Sequence, residues 1–369
     1  GLESIGGFCV GCWFFAFFFR MRDRWNVHKC YKRLNARCNP NQRFENYSSS
    51  LVDGPNDEET HGYDYDLIVI GGGSGGLAAS KEAARLGKKV LVADYVKPSQ
   101  QGESWGLGGT CVNVGCIPKK LYHTSAILGE SLRDAEAYGW KTADGQPITS
   151  VFSWKTLRRN IIKHIHSLND GYIRGLKDAK VQYVNSYATF VDNHTIRLED
   201  DCKRVVKKTA RRVIIAVGGR PTYPDIPGAT KYGISSDDVF SLKNAPGRVL
   251  MVGASYIALE TAGFLAGLGY PVTVLVRSIC LRGFDRDMAK RIVDHMKEHG
   301  VKFVMGVTPT EVSAAAEGED TPKLVKWKKH TKEGADGEGE FDTVMFAIGR
   351  TPCTNALNLE RSEERRVGK

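Results

Sequence analysis

The chain has 369 residues, enough for two or three domains by the rough rule of about 150 residues each, and its 41% hydrophobic and 25% charged residues are ordinary for a globular protein with a sizeable core. The formal charge of +10 raises nucleic acid as a partner, but the basic residues are scattered over 20–43, 203–212, 323–332 and the tail, with no aromatic-rich basic module to stack bases. They read as solvated faces, so no nucleic-acid partner is expected. Nine cysteines, an odd number without a clear secretory signal, argue for a reducing compartment and one reactive pair rather than a disulfide framework. Cys30, Cys38, Cys202, Cys280 and Cys353 read as free thiols.

Residues 1–62 do not read as a domain. The apolar run 8–19 is shorter than the roughly 20 residues that span a bilayer, and its Cys9 and Cys12 lack the strand and helix context of a redox CxxC. No membrane partner is expected. The run reads as translated leader, with Met21 a candidate start. The basic, acid-poor segment after it fits a mitochondrial presequence and equally a disordered basic extension, which leaves cytoplasm or mitochondrion as the compartment.

Order begins at Tyr63. Leu67-Ile68-Val69-Ile70 is a short apolar run typical of a buried parallel strand, and Gly71-Gly72-Gly73-Ser74-Gly75-Gly76 follows at once. A helix over 77–86 and a second strand over 90–93 ending on Asp94 complete a dinucleotide fingerprint in context. Gly71 makes the turn, Gly73 lets a pyrophosphate approach, Gly76 permits close helix packing, and Asp94 would accept from a ribose hydroxyl.

Next comes Gly108-Gly109-Thr110-Cys111-Val112-Asn113-Val114-Gly115-Cys116-Ile117-Pro118-Lys119-Lys120. Residues five apart on a regular helix point roughly 140° away from each other, so a Cys111–Cys116 disulfide needs a distorted backbone, which Gly115 permits. Pro118 suits the first turn of a helix running on through Leu121, Ile127 and Leu132, whose positive start favours a thiolate at Cys116. A helical pattern over 154–176 uses Leu157, Ile161, Ile165, Leu168 and Ile173. His164 and His166 lie on it without a third ligand at metal spacing, so no metal is expected. Short strands over 181–206 and a buried strand over 213–217 follow.

A second nucleotide unit starts at Arg248: strand 249–252, then Gly253-Ala254-Ser255-Tyr256-Ile257-Ala258, a helix through Leu265 and Leu268, and strand 272–276. Serine and alanine replace two glycines and weaken the fingerprint. Where an NAD-binding chain carries a carboxylate, this one has Arg277 and, one loop later, Arg282, a placement that selects a 2′-phosphate and hence NADPH. A helix over 288–299, strands near 301–304, 324–327 and 343–347, and a hairpin or flexible tip over 334–340 complete the unit. Residues 361–369 change abruptly to unpatterned charge.

With one nucleotide unit around a Cys pair and a second after it, residues 63 to about 360 resemble the two-dinucleotide flavoprotein disulfide reductases. Gly-Gly-Thr-Cys-Val-Asn-Val-Gly-Cys is common to glutathione and thioredoxin reductases. Trp105-Gly106-Leu107-Gly108-Gly109, Tyr138-Gly139-Trp140, Gly233-Ile234-Ser235-Ser236-Asp237-Asp238 and the Arg277 to Asp285 stretch are similar to the large thioredoxin reductases of animals. The resemblance implies an α/β fold of two Rossmann-like domains: FAD on 63–226, NADPH on an inserted 227–347, a return toward the first over 348–360, and a missing C-terminal dimerisation domain. FAD would take Gly71, Gly73, Ser74, Gly75, Gly76 and Asp94, with Thr110 near its ring system and Tyr187 and Ala188 near its adenine. NADPH would take Ala254, Ser255, Arg277, Ser278, Arg282, Gly349 and Arg350, with Tyr256 as a gate and Lys119 and Glu260 paired beside the flavin. Electrons would pass to the Cys111–Cys116 disulfide, Cys116 nearer the flavin and Cys111 exchanging with the next disulfide, that of thioredoxin or, alternatively, glutathione; a non-catalytic NADPH-binding fragment is the reading from another class. The sequence given stops before the family's interface domain and terminal redox pair. The expectation is therefore an incomplete chain of a homodimeric parent.

Overall fold

The computed structural model describes residues 62–316 and 321–362. The readings of the N-terminal extension and of most of the 361–369 tail fall outside them. Among the described residues no helix is long and apolar enough to cross a membrane.

The first half begins with β1 (Tyr65–Ile70), α1 (Ser74–Arg85) and β2 (Val90–Asp94). The cysteine region gives α2 (Gly109–Val114) and α3 (Cys116–Asp134), then α4 (Trp154–Asp178). β3 (Gln182–Asn185), β4 (Tyr187–Phe190), β5 (Thr195–Glu199) and β6 (Val205–Ile215) complete a six-stranded sheet of order β3-β2-β1-β6-β5-β4. β1 and β2 are apolar on both faces because both are covered: Leu67, Val69, Val90 and Val92 pack with Leu77 of α1 and Leu176 of α4, and Ile68, Ile70 and Leu91 pack with Phe190, Ile196 and Leu198 of β4 and β5. The sequence divides 205–217 into two strands; the structure makes one. Its first residues pair antiparallel with β5, and from Ala210 onward it pairs parallel with β1, so a single strand serves two partners.

The second half comprises β7 (Gly219–Pro221), α5 (Ala229–Tyr232), β8 (Gly233–Ile234), β9 (Val249–Val252), α6 (Tyr256–Gly267), β10 (Val272–Val276), α7 (Arg286–Glu298) and β11 (Lys302–Met305). It continues through β12 (Val307–Ala314), β13 (Lys323–Lys329), β14 (Gly337–Phe341), β15 (Thr343–Phe346) and β16 (Arg350–Pro352). A five-stranded parallel sheet runs β11-β10-β9-β15-β8, and β12-β13-β14 form an antiparallel meander in place of a loose tip near 334–340. In both parallel sheets the strand order reverses at the first strand, β1 or β9. Open α/β folds bind ligands at the carboxyl ends of strands at such a point.

The helices that carry the site follow their sequence pattern only in part. On α3 the buried residues are Pro118, Tyr122 and Ala126, while Ile127 and Leu132 are exposed. On α4 they are Trp154, Ile161, Ile165, Asn169 and Leu176, and Ile173 is exposed. The reason is what these helices pack against. α3 lies on α6 of the second half, where Tyr122 sits amid Trp154, Phe240 and Phe264 with ring centroids 5.0–5.7 Å away. Its hydroxyl donates to the carbonyl of Phe240 at 3.2 Å. One core thus joins the cysteine helix to the second sheet.

Candidate functional site

Both glycine-rich turns use the same device. Gly71 has φ +110° and Gly253 φ +112°, and a Cβ on either would lie 2.3 Å or 2.4 Å from the carbonyl oxygen of Ala216 or Ala347 on the neighbouring strand. A Cβ at Gly76 would fall 1.8 Å from Gly71 O, so α1 needs glycine there; the matching Ala258 of α6 is fully buried. α1 starts at Ser74, three residues before the apolar pattern, which draws Gly75 and Gly76 into its first turn. Neither α1 nor α6 has an acidic residue in its first turn or a side chain capping it, so the amide groups at the start of each helix are oriented to meet phosphates, while those of Gly71, Gly72 and Gly253 are spent within the fold.

Asp94 ends β2 with Oδ1 accepting from the Gly72 amide at 2.9 Å. Burial pushes its carboxyl above the usual range, and the amide bonds from Gly72 and Tyr95 oppose that. One oxygen therefore braces the turn, which the sequence reading did not include. Beyond β2, Tyr187 meets Tyr95 edge-on at 5.8 Å and lies under the Lys97 ammonium at 4.3 Å, a stacking platform at the end of the strand. Ala188 has its methyl buried in the first core, leaving only its backbone to offer.

The two cysteines stand on either side of a break. α2 ends at Val114, Gly115 interrupts, and α3 begins at Cys116. A Cβ at Gly115 would lie 2.8 Å from the carbonyl oxygen of Thr110 and 3.2 Å from Cys111 Cα, so the two helices can close on each other only over a glycine. Across this break the two cysteines meet, with Cys111 hydrogen-bonded to Cys116. Cys116 is drawn down to about 6, first by the hydrogen bond from Cys111, with Lys119 adding to it; burial and Glu260 act the other way. Lys119 forms an ion pair with Glu260 of α6 and sits 5.5 Å from the ring of Tyr256, which is itself half exposed. Thr110 accepts from Arg350 at 3.2 Å, and Arg350 also donates to the carbonyl of Gly219.

Cys111, Cys116, Lys119, Glu260, Tyr256, Thr110 and Arg350 are thus linked into one region spanning both halves. Ser255, Tyr256, Gly349 and Arg350 line a cavity of about 190 Å³ there with Pro221 and Phe346. Ala254 precedes the N-cap Ser255, whose hydroxyl reaches Ala347 O at 3.5 Å. Arg277 and Arg282 are exposed beyond β10, and Arg282 donates to Ser278 at 2.7 Å.

Several residues that hold the cysteines were not read from the sequence as functional. Asn113 donates to the carbonyls of Gly106 and Gly109, and Asn169 donates to Leu107 O and Asn113 Oδ1, which pins the loop before Cys111. Asn169 stands four residues after Ile165 on the buried face of α4. A polar residue in an apolar stripe was the signal that could have found it. Arg220, Trp105 and Asp237 form a second such group.

The family model for pyridine nucleotide-disulphide oxidoreductases matches residues 65–367. The chain belongs to the pyridine nucleotide-disulphide oxidoreductase family. Among relatives of this family, it is 55% identical over 298 residues to thioredoxin reductase SEP1 of Emiliania huxleyi, covering 81% of this chain and 58% of that one. The fold is similar to that of RclA, an HOCl-induced flavoprotein disulfide reductase from Escherichia coli solved as a Cu(II) complex, with a TM-score of 0.65 at 23% identity over 81% of this chain and 59% of that one. The chain therefore spans less than two thirds of the length of either oxidoreductase. The two α/β units and the residues around Cys111 and Cys116 all lie within the matched stretch.

Proposed function

We propose that this chain carries the nucleotide-binding and redox centre of an NADPH-dependent, FAD-containing disulfide reductase that delivers electrons through Cys111 and Cys116 to a thioredoxin-type disulfide. The observation that carries the reading is the geometry of the cysteine pair: Cys111 and Cys116 on the two sides of the Gly115 break, with Lys119 beside them tied to Glu260 on the helix of the second nucleotide unit.

On this reading FAD lies over the Gly71 turn and the start of α1 in residues 63–226. Gly73, Ser74, Gly75 and Gly76 surround its phosphates, the remaining oxygen of Asp94 takes the ribose, Tyr187 and the Ala188 backbone lie toward the adenine, and Thr110 borders the ring system. NADPH lies over the Gly253 turn in residues 227–347, with Ala254, Ser255 and Gly349 near the pyrophosphate and Arg277, Ser278 and Arg282 on the 2′-phosphate. A bound flavin supplies the exchange between hydride and electron-pair chemistry. Arg350 holds the loop of Thr110, and Tyr256, half exposed above Lys119, covers the approach to the cavity. Cys111, as the exchanging thiol, gives its proton to the Cys116 thiolate or to solvent and attacks the partner disulfide, breaking that S–S bond and releasing one partner thiolate. Cys116, once again a thiolate, then attacks Cys111 Sγ, which closes the Cys111–Cys116 disulfide and releases the second partner thiolate, both leaving groups taking protons from solvent. The resemblance to the large thioredoxin reductases supports a homodimer as the working form.

Protein loaded with FAD and given NADPH under anaerobic conditions should gain two titratable thiols, lost in Cys111→Ser and Cys116→Ser. Adding thioredoxin or glutathione disulfide as oxidant then separates the two substrate classes. No gain of thiols in a flavin-loaded sample would overturn the reading, and NADPH binding without flavin uptake would favour a binding role instead.

A further inference from the structure

β7 and β16 form a two-stranded antiparallel ribbon in which Arg220 faces Thr351 and Arg350 faces Pro221. Each strand sends a guanidinium toward the cysteine loop, Arg350 to Thr110 and Arg220 to Trp105. Arg220 reaches three separate segments. Its Nε donates to Asp237 Oδ2 at 2.8 Å, its Nη1 donates to the Lys97 carbonyl at 2.7 Å, and its guanidinium stacks on the Trp105 ring at 4.7 Å. Asp237 is only 2% exposed, beside the equally buried Asp238, and the Oδ1 atom of each lacks a hydrogen-bond partner.

A carboxylate buried this deeply is costly unless a cation stays on it, so Arg220 is not free to swing away. Asp238 is satisfied locally through its other oxygen, by the amide and hydroxyl of Ser235 at 2.8 Å and 3.0 Å, which leaves Asp237 to face the arginines. Burial pushes the Asp237 carboxyl up; Arg220 and then Arg350 pull it down. The anchor sits in the second half, three residues before Phe240, whose carbonyl takes the Tyr122 hydroxyl of α3. Trp105 sits in the first half, six residues before Cys111. The loop between them is gripped from its other side by Asn113 and Asn169.

We propose that Arg220 is a positioning residue for the cysteine pair: locked on buried Asp237, it holds the Trp105 loop and with it the start of α2, so that Cys111 stays beside Cys116. This rests on the reading that Cys111 and Cys116 are the redox pair, but its test uses thiol chemistry alone and needs no nucleotide. The hydrogen bond from Cys111 is the largest influence lowering Cys116, so a displaced loop should be visible as a changed titration.

The experiment alkylates the reduced full chain with iodoacetamide across pH, with Cys116 read by mass spectrometry. In Arg220→Gln the Cys116 midpoint should rise by about one unit, giving about fivefold slower alkylation at pH 6 and about tenfold slower below pH 5. Arg248→Gln, which breaks the arginine–aspartate pair with Asp342 away from the cysteines, should leave that midpoint in place. Trp105→Leu removes the stacking without touching the buried carboxylate and should reproduce the shift; it decides the matter if Arg220→Gln does not fold. A lower urea midpoint with an unmoved Cys116 titration would overturn the proposal and leave Arg220 as a stabilising contact only. Loss of NADPH-driven thiol gain in the unmodified chain, with the titration shift intact, would instead count against the functional reading.

Discussion

At Cys116 opposing influences are separable by substitution. The Cys111 hydrogen bond and the Lys119 ammonium lower it, while partial burial and the Glu260 carboxylate raise it, with about 6 as the outcome. The thiolate is the reacting form, so alkylation of the reduced pair should be nearly constant above pH 7 and fall about tenfold per unit below pH 5. Cys111→Ser and Lys119→Met should each move the midpoint up, and Glu260→Gln should move it down. Opposite shifts for Lys119 and Glu260, which form one ion pair, would separate their charge effects from loss of the contact. Equal shifts in the same direction would mean that the pair acts by fixing the geometry. Because the folded thiol sits below its unfolded value, this group adds stability that is full above the unfolded thiol range and is lost as pH falls through about 6.

At the scale of elements, the contact between α3 and α6 carries the link between the two halves. Gly267, at the end of α6, approaches Ala126 so closely that a Cβ there would lie 2.8 Å from the Ala126 Cβ. Gly267→Val should cost about 1–3 kcal/mol by overpacking, read from urea denaturation. Tyr122→Phe removes the bond to Phe240 O and should cost about 1 kcal/mol, whereas Tyr122→Ala, at a fully buried aromatic, should cost about 3–5 kcal/mol. If the valine at 267 were as stable as the parent, the helices would be free to separate and this contact would not hold the cysteine helix in place. α2, with six residues, is too short to stand alone; the bonds from Asn113 and Asn169 and the break at Gly115 keep it where Cys111 must be.

Across the whole molecule, on the proposed reading, the charges beyond β10 would select the nucleotide of the second half. Arg277 and Arg282 are exposed and have no acidic partner in the described contacts, so a 2′-phosphate would meet two guanidinium groups. Replacing both with glutamine should weaken NADPH binding by about tenfold or more per arginine and leave NADH nearly unchanged, as measured by fluorescence titration. A parallel loss for both nucleotides would show that the arginines support the loop instead. Bound nucleotide should also raise the thermal midpoint, with the logarithm of its concentration over its dissociation constant, since only the folded turns bind it.

Local chemistry was enough to read much of this protein. Strands such as Val249–Val252 are continuous apolar runs, the turns at Gly71 and Gly253 demand glycine, and the spacing of Cys111 and Cys116 around Gly115 demands a broken helix. The sequence alone therefore determined both nucleotide folds, the cysteine pair and the arginines after β10. Periodicity held for Ile161 and Ile165 and missed at the ends of its stripes, because it reports which residues are apolar but not how far a neighbour will cover them: Ile127, Leu132 and Ile173 are exposed, and Tyr122 and Asn169 are buried. Only the tertiary structure decided that the cysteine helix of the first half would pack on α6 of the second, that Lys119 would meet Glu260, and that Arg220 would join Asp237 to Trp105. Apart from Arg220 and Asp237, 17 positions apart, these contacts join residues more than 100 positions apart, and their partners are selected by the closing of two sheets on one core, which no local pattern encodes.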